Sequence, residues 1–358
     1  MSSGQSPTTV EIIAVPGIPE ITDGVDLAWV IHDALTAAGL ALRSGDIVVV
    51  ASKVVSKAAG LRRHVPRDVA IAAETVRVVA ERAAGDRITR VVQSAAGPVM
   101  AAAGVDESNI GADGGVLVLP RDPDAAAAAL LTSLRRVSAV DGPLGVIITD
   151  TAGRPWRAGV VDFALGSAGV QVLDDHRQGV DADGRPLSVT VIAVADEIAA
   201  AADLVKGKAA ARPVALVRGL PWARGGVGPR DAADAAGLVR TGPTDWFRTG
   251  PVEAIRAALG VPPGSPQSTD IGIPSVTAEP VAPRVERVRR LALHGAPADV
   301  TGTAHEAGLT LRASTAYSLG VGVTRAEIAA AAERLTARVE HTGDLSADLS
   351  FSEIHDGR

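Results

Sequence analysis

The run Gly145-Val146-Ile147-Ile148 ends on Thr149-Asp150-Thr151 and then turns through Gly153 and Pro155 to Trp156 and Arg157. A short apolar, β-branched run closed by turn residues reads as a buried strand that delivers polar groups to a cleft rim. Asp150 is therefore the first candidate for chemistry. A carboxylate followed by a hydroxyl, as in Asp150-Thr151, can share a hard divalent cation or its waters. Arg154 and Arg157, just beyond, can meet anionic groups of a ligand. An aspartate that merely caps a turn fits the same residues equally well. The rest of the chain has to decide.

With 358 residues the chain can bury a full core and hold two domains, or one large domain with an appendage. A net charge of -6 with mixed signs, and no Lys/Arg run of the kind that tracks phosphate backbones, argue against nucleic-acid binding. Aromatic residues make up 2%, too few to supply stacking platforms for single strands. The absence of cysteine excludes disulfides, a thiol nucleophile and cysteine-bound zinc or iron–sulfur clusters. The polar start Met1-Ser2-Ser3-Gly4 lacks the basic and apolar regions of a signal peptide, and no stretch is long and apolar enough to span a bilayer. The expectation is a soluble cytoplasmic enzyme.

Strands are predicted over residues 10–15, 45–51, 88–92, 114–120, 187–194 and 213–217, besides the one ending at Asp150. Helices are predicted after Asp26, over residues 68–84, after Asp122 and from Asp196 to Lys206. This interleaving makes the fold class mixed α/β. Pro16-Gly17-Ile18-Pro19-Glu20 is a loop fixed by two prolines and a glycine, and Asp106 with Asn109 sits in a small-residue loop that admits a bulky ligand. Ser52-Lys53-Val54-Val55-Ser56-Lys57 carries two lysines four apart, which either line a phosphate site or form a solvated flank. Residues 260–283 read as a linker, and residues 284–293, 304–311 and 324–339 as short helices. A boundary near residue 246 separates a first domain, 1–245, from a small, mainly helical C-terminal region, 246–358.

Gly207-Lys208 is followed by alanine and lacks the upstream glycine, so there is no P-loop; a Gly-x-Gly-x-x-Gly after a strand, His-Glu-x-x-His and Gly-x-Ser-x-Gly are also missing. The seven histidines show no ligand spacing. What remains is a set of carboxylates, amides and hydroxyls at strand ends with lysines and arginines around them. That environment suits magnesium or manganese carrying a phosphate-rich substrate.

At these residues the chain resembles the coenzyme F420-0:L-glutamate ligases, the γ-glutamyl ligases of coenzyme F420 biosynthesis. The resemblance is carried, in the family's order, by seven stretches: Gly17 to Ile21, Gly45-Asp46 with its strand, Ser52 to Lys57, Ala103 to Asn109, Leu119 to Asp124, Ile148 to Arg157 and Ala195-Asp196-Glu197. It implies a GTP-dependent ligase with a P-loop-free mixed α/β fold, an intertwined homodimer, and magnesium or manganese, with potassium as an optional further cation. By the same resemblance, positions Ile18, Pro19, Glu20, Ile21, Ser52, Lys53, Lys57 and Asn109 bind the nucleotide. Asp106, Asp150 and Thr151 hold the metals, Asp150 and Lys57 are the catalytic candidates, and the segment 205–211 adds a further nucleotide and metal contact. The expected reaction adds L-glutamate to coenzyme F420-0 through an acyl phosphate, with further γ-linked glutamates as an extension.

Two departures stand out. Ser56-Lys57-Ala58-Ala59-Gly60-Leu61 replaces the family's Ser-Lys-x-Glu-Gly-Arg, and Lys208 lies where some members have an oxygen ligand to the second metal. Longer members carry a nitroreductase-like, FMN-binding domain, for which the C-terminal region here is too short. The alternatives are a ligase of the same fold acting on another carboxylic acid, and a non-catalytic nucleotide-binding homologue.

Overall fold

In the computed structural model, residues 9–108, 114–207, 211–224 and 234–354 are described. The chain divides into two compact units, residues 1–75 with 94–240 and residues 76–93 with 241–358. Among the described residues no helix is long and apolar enough to cross a membrane.

The first unit is built on a five-stranded mixed sheet. The strands of this sheet and the helices beside it are, in chain order, β1 (Glu11–Ala14), α1 (Leu27–Ala37), β2 (Ile47–Ala51), α2 (Ser52–Ala58), α3 (Pro123–Ser138), β3 (Gly145–Arg154), β4 (Arg157–Ala168), α4 (Val194–Lys206) and β5 (Val214–Arg218). The strands lie in the order β1-β5-β2-β3-β4. Only the central pair, β2 with β3, is parallel; Ile47 faces Gly145 and Ala51 faces Thr149.

The apolar runs are continuous because both faces of the sheet are covered. Val48, Val50, Val146 and Ile148 pack with α1 and α3 through Ile31, Leu35, Leu131 and Leu134. Ile47, Val49 and Ile147 turn to the other face and meet Ile198 and Ala202 of α4. Strand alternation thus divides one sequence run between two cores, leaving polar residues to emerge only at the strand ends.

Several of the stretches that resemble the ligase family do structural work here. Asp46, 1% exposed, takes two 2.8 Å hydrogen bonds from Arg218 and ties β2 to the end of β5. Asp122 caps α3 by accepting from the Ala125 N–H, and Asp124 accepts from the backbone N–H of Ser167, Ala235 and Ala236. Asp196 accepts from the Ala164 N–H and pins α4 to β4. Gly166 permits the close approach of α3 to β4, since a β-carbon there would overlap the Pro123 carbonyl.

The second unit corrects the expectation of a mainly helical tail. Strands Thr301–Ala304, Gly308–Arg312, Leu335–Gly343 and Ser346–Glu353 form a four-stranded antiparallel sheet. Helices Val281–Leu293 and Ala316–Ala332 cover one face of it, with Val288, Leu291, Leu309, Leu311 and Leu349 in the shared core. Over residues 304–311 the apolar positions fit both a short helix and an alternating strand; the buried pair Leu309 and Leu311, two apart, is the strand solution. Residues 260–283 are not a bare linker either. They contain helix Pro266–Ile271 and bury Val261 and Ile271.

Residues 68–84 do not form one helix. The chain makes helix Arg67–Ala73 and then strand Thr75–Ala84, whose Val79 and Glu81 are buried two apart. β-branched Thr75, Val76, Val78 and Val79 favour the extended form, and the buried charge of Glu81 obscures the alternation. Residues 187–194 likewise contribute only the short strand Val191–Ile192.

Within the second unit, buried carboxylates meet arginines or hydrogen-bond donors: Glu253 pairs with Arg82 and Glu81 with Arg90, one Glu253 oxygen having no hydrogen-bond partner among the described residues. The Glu81 carboxylate accepts from the Ser268 hydroxyl, and Glu253 accepts from the Glu81 N–H at 3.0 Å. Arg287 donates to Glu333 at 2.7 and 3.0 Å, and to Glu279; Arg256 reaches the Gly272 carbonyl at 2.9 Å and Glu333 at 3.5 Å. Glu333→Ala would leave two buried guanidinium groups without this carboxylate. The expected cost is about 3–5 kcal/mol, read as an earlier urea transition of this unit, and an unshifted transition would contradict the network's importance.

Candidate active site

A cleft of about 730 Å³ opens in the first unit at the end of the sheet where β2 and β3 finish and β5 begins. Its size suits a nucleotide-sized ligand. The loop after β1 contributes Ile18, Pro19, Glu20 and Ile21 to its wall. No loop separates β2 from α2: Ala51 keeps an extended backbone, and the helix starts at Ser52. Ser52, Lys53, Ser56 and Lys57 therefore lie on adjacent turns, and all four line the cleft. The reading of a solvated lysine flank is set aside by burial, since Lys57 is 7% exposed.

Both lysines are engaged by carboxylates. Lys57 forms an ion pair with Glu20 of the Pro-Glu loop. Lys53 donates to Asp106 at 2.7 Å and to the Ser108 carbonyl at 2.7 Å. Asp106 also accepts from the Ser108 N–H and hydroxyl, both at 2.8 Å. Burial would push the Asp106 carboxyl up, but the bonds from Lys53 and Ser108 and the Lys53 charge outweigh it and hold it below the usual carboxylate range.

Asp150 is different. Among the described residues it has no lysine or arginine partner within ion-pair distance. Burial comes first among the causes that push its carboxyl up to about 6, and the charges of Asp162 and Asp106 add to it. The Thr151 N–H and the Ser52 hydroxyl bond to Asp150 and oppose the shift. Three carboxylates thus feel one another here, and the one without a counter-charge bears the strain.

The other side of the cleft holds Asp162, which sequence reasoning did not select, and Lys206, which it included only as part of segment 205–211. Asp162 and Lys206 are buried, 5% and 3% exposed, and both line the cleft. Asp162 accepts from Thr151 at 2.6 Å, Thr149 at 2.9 Å and Lys206 at 2.8 Å. Burial alone would raise the Asp162 carboxyl, but the Lys206 charge and these hydrogen bonds bring it below the ordinary value. The missing signal is register: Asp162 stands directly opposite Thr151 across the β3–β4 hairpin. Lys206, Gly207 and Ala211 of segment 205–211 also line the cleft.

Arg154 and Arg157 face each other at the tip of that hairpin, both exposed, and neither is among the residues lining the cleft of the single chain. Asn109 and Lys208 lie outside the described residues. Ala59 and Leu61 are not among the described lining residues, so the two departures at α2's end fall outside the cleft wall.

The donor set suits a hard cation. Asp106, Asp150 and Thr151 present oxygen, and the unbalanced negative charge around Asp150 favours a cation there. Among the described residues no three acidic or imidazole side chains form a ready ligand cage. That is compatible with magnesium, which is commonly held by one or two carboxylates, waters and substrate phosphates. The buried Ser56 hydroxyl, which has no hydrogen-bond partner among the described residues, also lines the cleft and can serve a bound ligand.

Such a cleft, with lysines beside carboxylates on a sheet without a P-loop, is equipped to handle a metal-bound phosphate ester. Residues 17–219 match the family model described as F420-0:Gamma-glutamyl ligase. The chain belongs to this F420-0:γ-glutamyl ligase family. It is 39% identical over 260 residues to the coenzyme F420:L-glutamate ligase of Methanothermobacter thermautotrophicus, covering 67% of this chain and 99% of that protein. The protein of the same name from Methanopyrus kandleri is also 39% identical over 260 residues, covering 67% of this chain and 98% of its own length. That of Archaeoglobus fulgidus is 39% identical over 228 residues, covering 59% and 88%.

The Asp150 environment has a measurable consequence. A carboxyl raised from 3.8 to about 6 binds its proton more tightly in the folded state. The folded state is therefore favoured below the unfolded value, and that contribution is lost as pH rises through the folded value near 6. Ligand-free Asp150→Asn should melt a few degrees above the unsubstituted protein at pH 7.5, with the advantage vanishing near pH 4. Equal melting temperatures at pH 7.5 would contradict the assigned strain.

Proposed function

We propose that the protein is a coenzyme F420:L-glutamate ligase, using GTP and magnesium or manganese to join L-glutamate to coenzyme F420-0 in the cytoplasm. Potassium is an optional further cation. The observation that carries this reading is Asp150: a half-buried carboxylate with no ion-pair partner among the described residues, under the charge of Asp106, in a cleft whose lysines reach anionic groups. The activity is assigned to residues 1–245, with residues 246–358 as an added region that forms its compact unit together with residues 76–93 and 241–245.

In this reading Ile18, Pro19, Glu20 and Ile21 contact the nucleotide from the loop after β1, with Ser52 from α2 and Asn109. Lys53 and Lys57 exchange their carboxylate partners for phosphate oxygens, retaining a charge-assisted bond. Asp106, Asp150 and Thr151 would hold the divalent ions. When bound, these ions offset charge between the triphosphate and the attacking carboxylate. The chain's residues align the F420-0 carboxylate with the γ-phosphate, so that a carboxylate oxygen–phosphorus bond forms as the bond to GDP breaks. The amine of L-glutamate then attacks the acyl carbon; an amide forms, phosphate leaves and the amine releases its proton. Repetition on the new γ-carboxylate would lengthen the tail.

A homodimer completes the proposal. The outer part of the β3–β4 hairpin, residues 153–160, is exposed along both strands and carries Trp156 at its tip, 84% exposed. An arm of this kind suits contact with a second copy, where Arg154 and Arg157 would become available to anionic substrate groups. Sedimentation velocity should give a species of twice the chain's mass; a species of one chain's mass would overturn the dimer.

The function is tested by incubating the protein with GTP, magnesium or manganese, L-glutamate and F420-0 and following product mass. A gain of one or more glutamyl units is expected, with turnover lost by at least a hundredfold in Asp150→Asn, on the order expected when a major electrostatic group is removed. Bound GTP with no glutamyl product would refute the ligase assignment and favour a non-catalytic homologue.

A further inference from the structure

A threonine hydroxyl has one proton, and that of Thr151 is committed to Asp162 Oδ1 at 2.6 Å. The other Asp162 oxygen accepts from Thr149 Oγ1 at 2.9 Å and from Lys206 Nζ at 2.8 Å. Lys206 Nζ also donates to Thr149 Oγ1 at 2.7 Å, closing the set. Three elements meet in it: β3 supplies both threonines, β4 the carboxylate opposite Thr151, and the last residue of α4 the ammonium. Two desolvated charges are a costly way to fill space at the floor of a cleft, where apolar residues of similar volume would often serve stability as well. What the arrangement does fix is direction. With its proton held by Asp162, Thr151 Oγ1 can offer lone pairs, and no proton, to a group in the cleft.

We propose that Asp162 and Lys206 are positioning residues that lock Thr151 as an oxygen donor toward the divalent cation of the nucleotide complex. Asp162 takes the Thr151 proton, while Lys206 and Thr149 hold the carboxylate in the orientation that receives it. The proposal rests on the reading of Thr151 as a cation ligand, and it gives Asp162 and Lys206 a role that acts through Thr151.

The test is Mn2+ binding without turnover, measured from the electron-paramagnetic signal of free Mn2+ in the presence of a non-hydrolysable GTP analogue. Thr151→Val and Asp162→Leu, which removes the acceptor of the Thr151 proton, are each expected to weaken Mn2+ binding by about tenfold or more, the scale of groups that orient metal ligands. Asp162→Leu alone leaves the Lys206 ammonium buried without its counter-charge and can fail to fold, so Asp162→Leu/Lys206→Met is measured beside it. This double variant is expected to melt at or above the unsubstituted protein and still to bind Mn2+ about tenfold more weakly. A purely structural pair would not separate affinity from stability in this way. Weakened binding in Thr151→Val with undiminished binding in the double variant overturns the positioning role alone. Undiminished binding in Thr151→Val overturns the cation-ligand reading and, with it, this proposal.

Discussion

Asp106, Asp150 and Asp162 act on one another across one cleft, and of these three Asp150 has no lysine partner among the described residues. Asp106 is paired with Lys53 and Asp162 with Lys206, while Asp150, between them electrostatically, is left to burial and repulsion. A fold does not keep such an arrangement for its own stability, because an ionised carboxylate in a desolvated site costs free energy unless it meets a counter-charge. A divalent cation arriving with a nucleotide supplies one. The strain on the ligand-free site and the proposed chemistry are therefore two views of the same charge imbalance.

The sheet makes that imbalance possible. Because β2 and β3 are apolar on both faces and covered by helices, their polar residues emerge together at one end. There α2 begins at Ser52 as β2 ends, Asp150 and Thr151 follow Thr149, and the start of β5 and the end of α4 bring Lys206 alongside. The pins that hold these elements, Asp46 to Arg218 and Asp124 and Asp196 to neighbouring backbone, lie within the same stretches that first suggested the family. A motif in this chain is thus sometimes a ligand contact and sometimes a fastening, and only the structure separates the two.

Much of the first unit was legible because its signals were unambiguous. The β-branched runs at β2, β3 and β5, the Asp26 and Asp122 caps and the alanine-rich helices left little competition. Residues 304–311 were misread because a short apolar pattern satisfies both the helical and the strand period, and residues 68–84 because the buried charge of Glu81 hides the alternation of the strand that follows a short helix. In the site, Asp150, Thr151, Asp106 and the two lysines could be selected as polar groups next to apolar strands. Asp162 could not, since it requires the hairpin register, and Lys206 entered only within segment 205–211, reading by itself as an ordinary helix-ending lysine. Arg154 and Arg157 were drawn in by nearness in sequence, but a two-residue turn at Pro155-Trp156 carries them to the hairpin tip.

The central claim is that this cleft activates a carboxylate by phosphoryl transfer. The most direct measurement uses F420-0 carrying oxygen-18 in its terminal carboxylate, incubated with GTP, magnesium and L-glutamate. An acyl phosphate requires one labelled oxygen to leave with phosphate, so the mass of the inorganic phosphate released should rise in step with amide formation. Amide product accompanied by unlabelled phosphate would contradict the account.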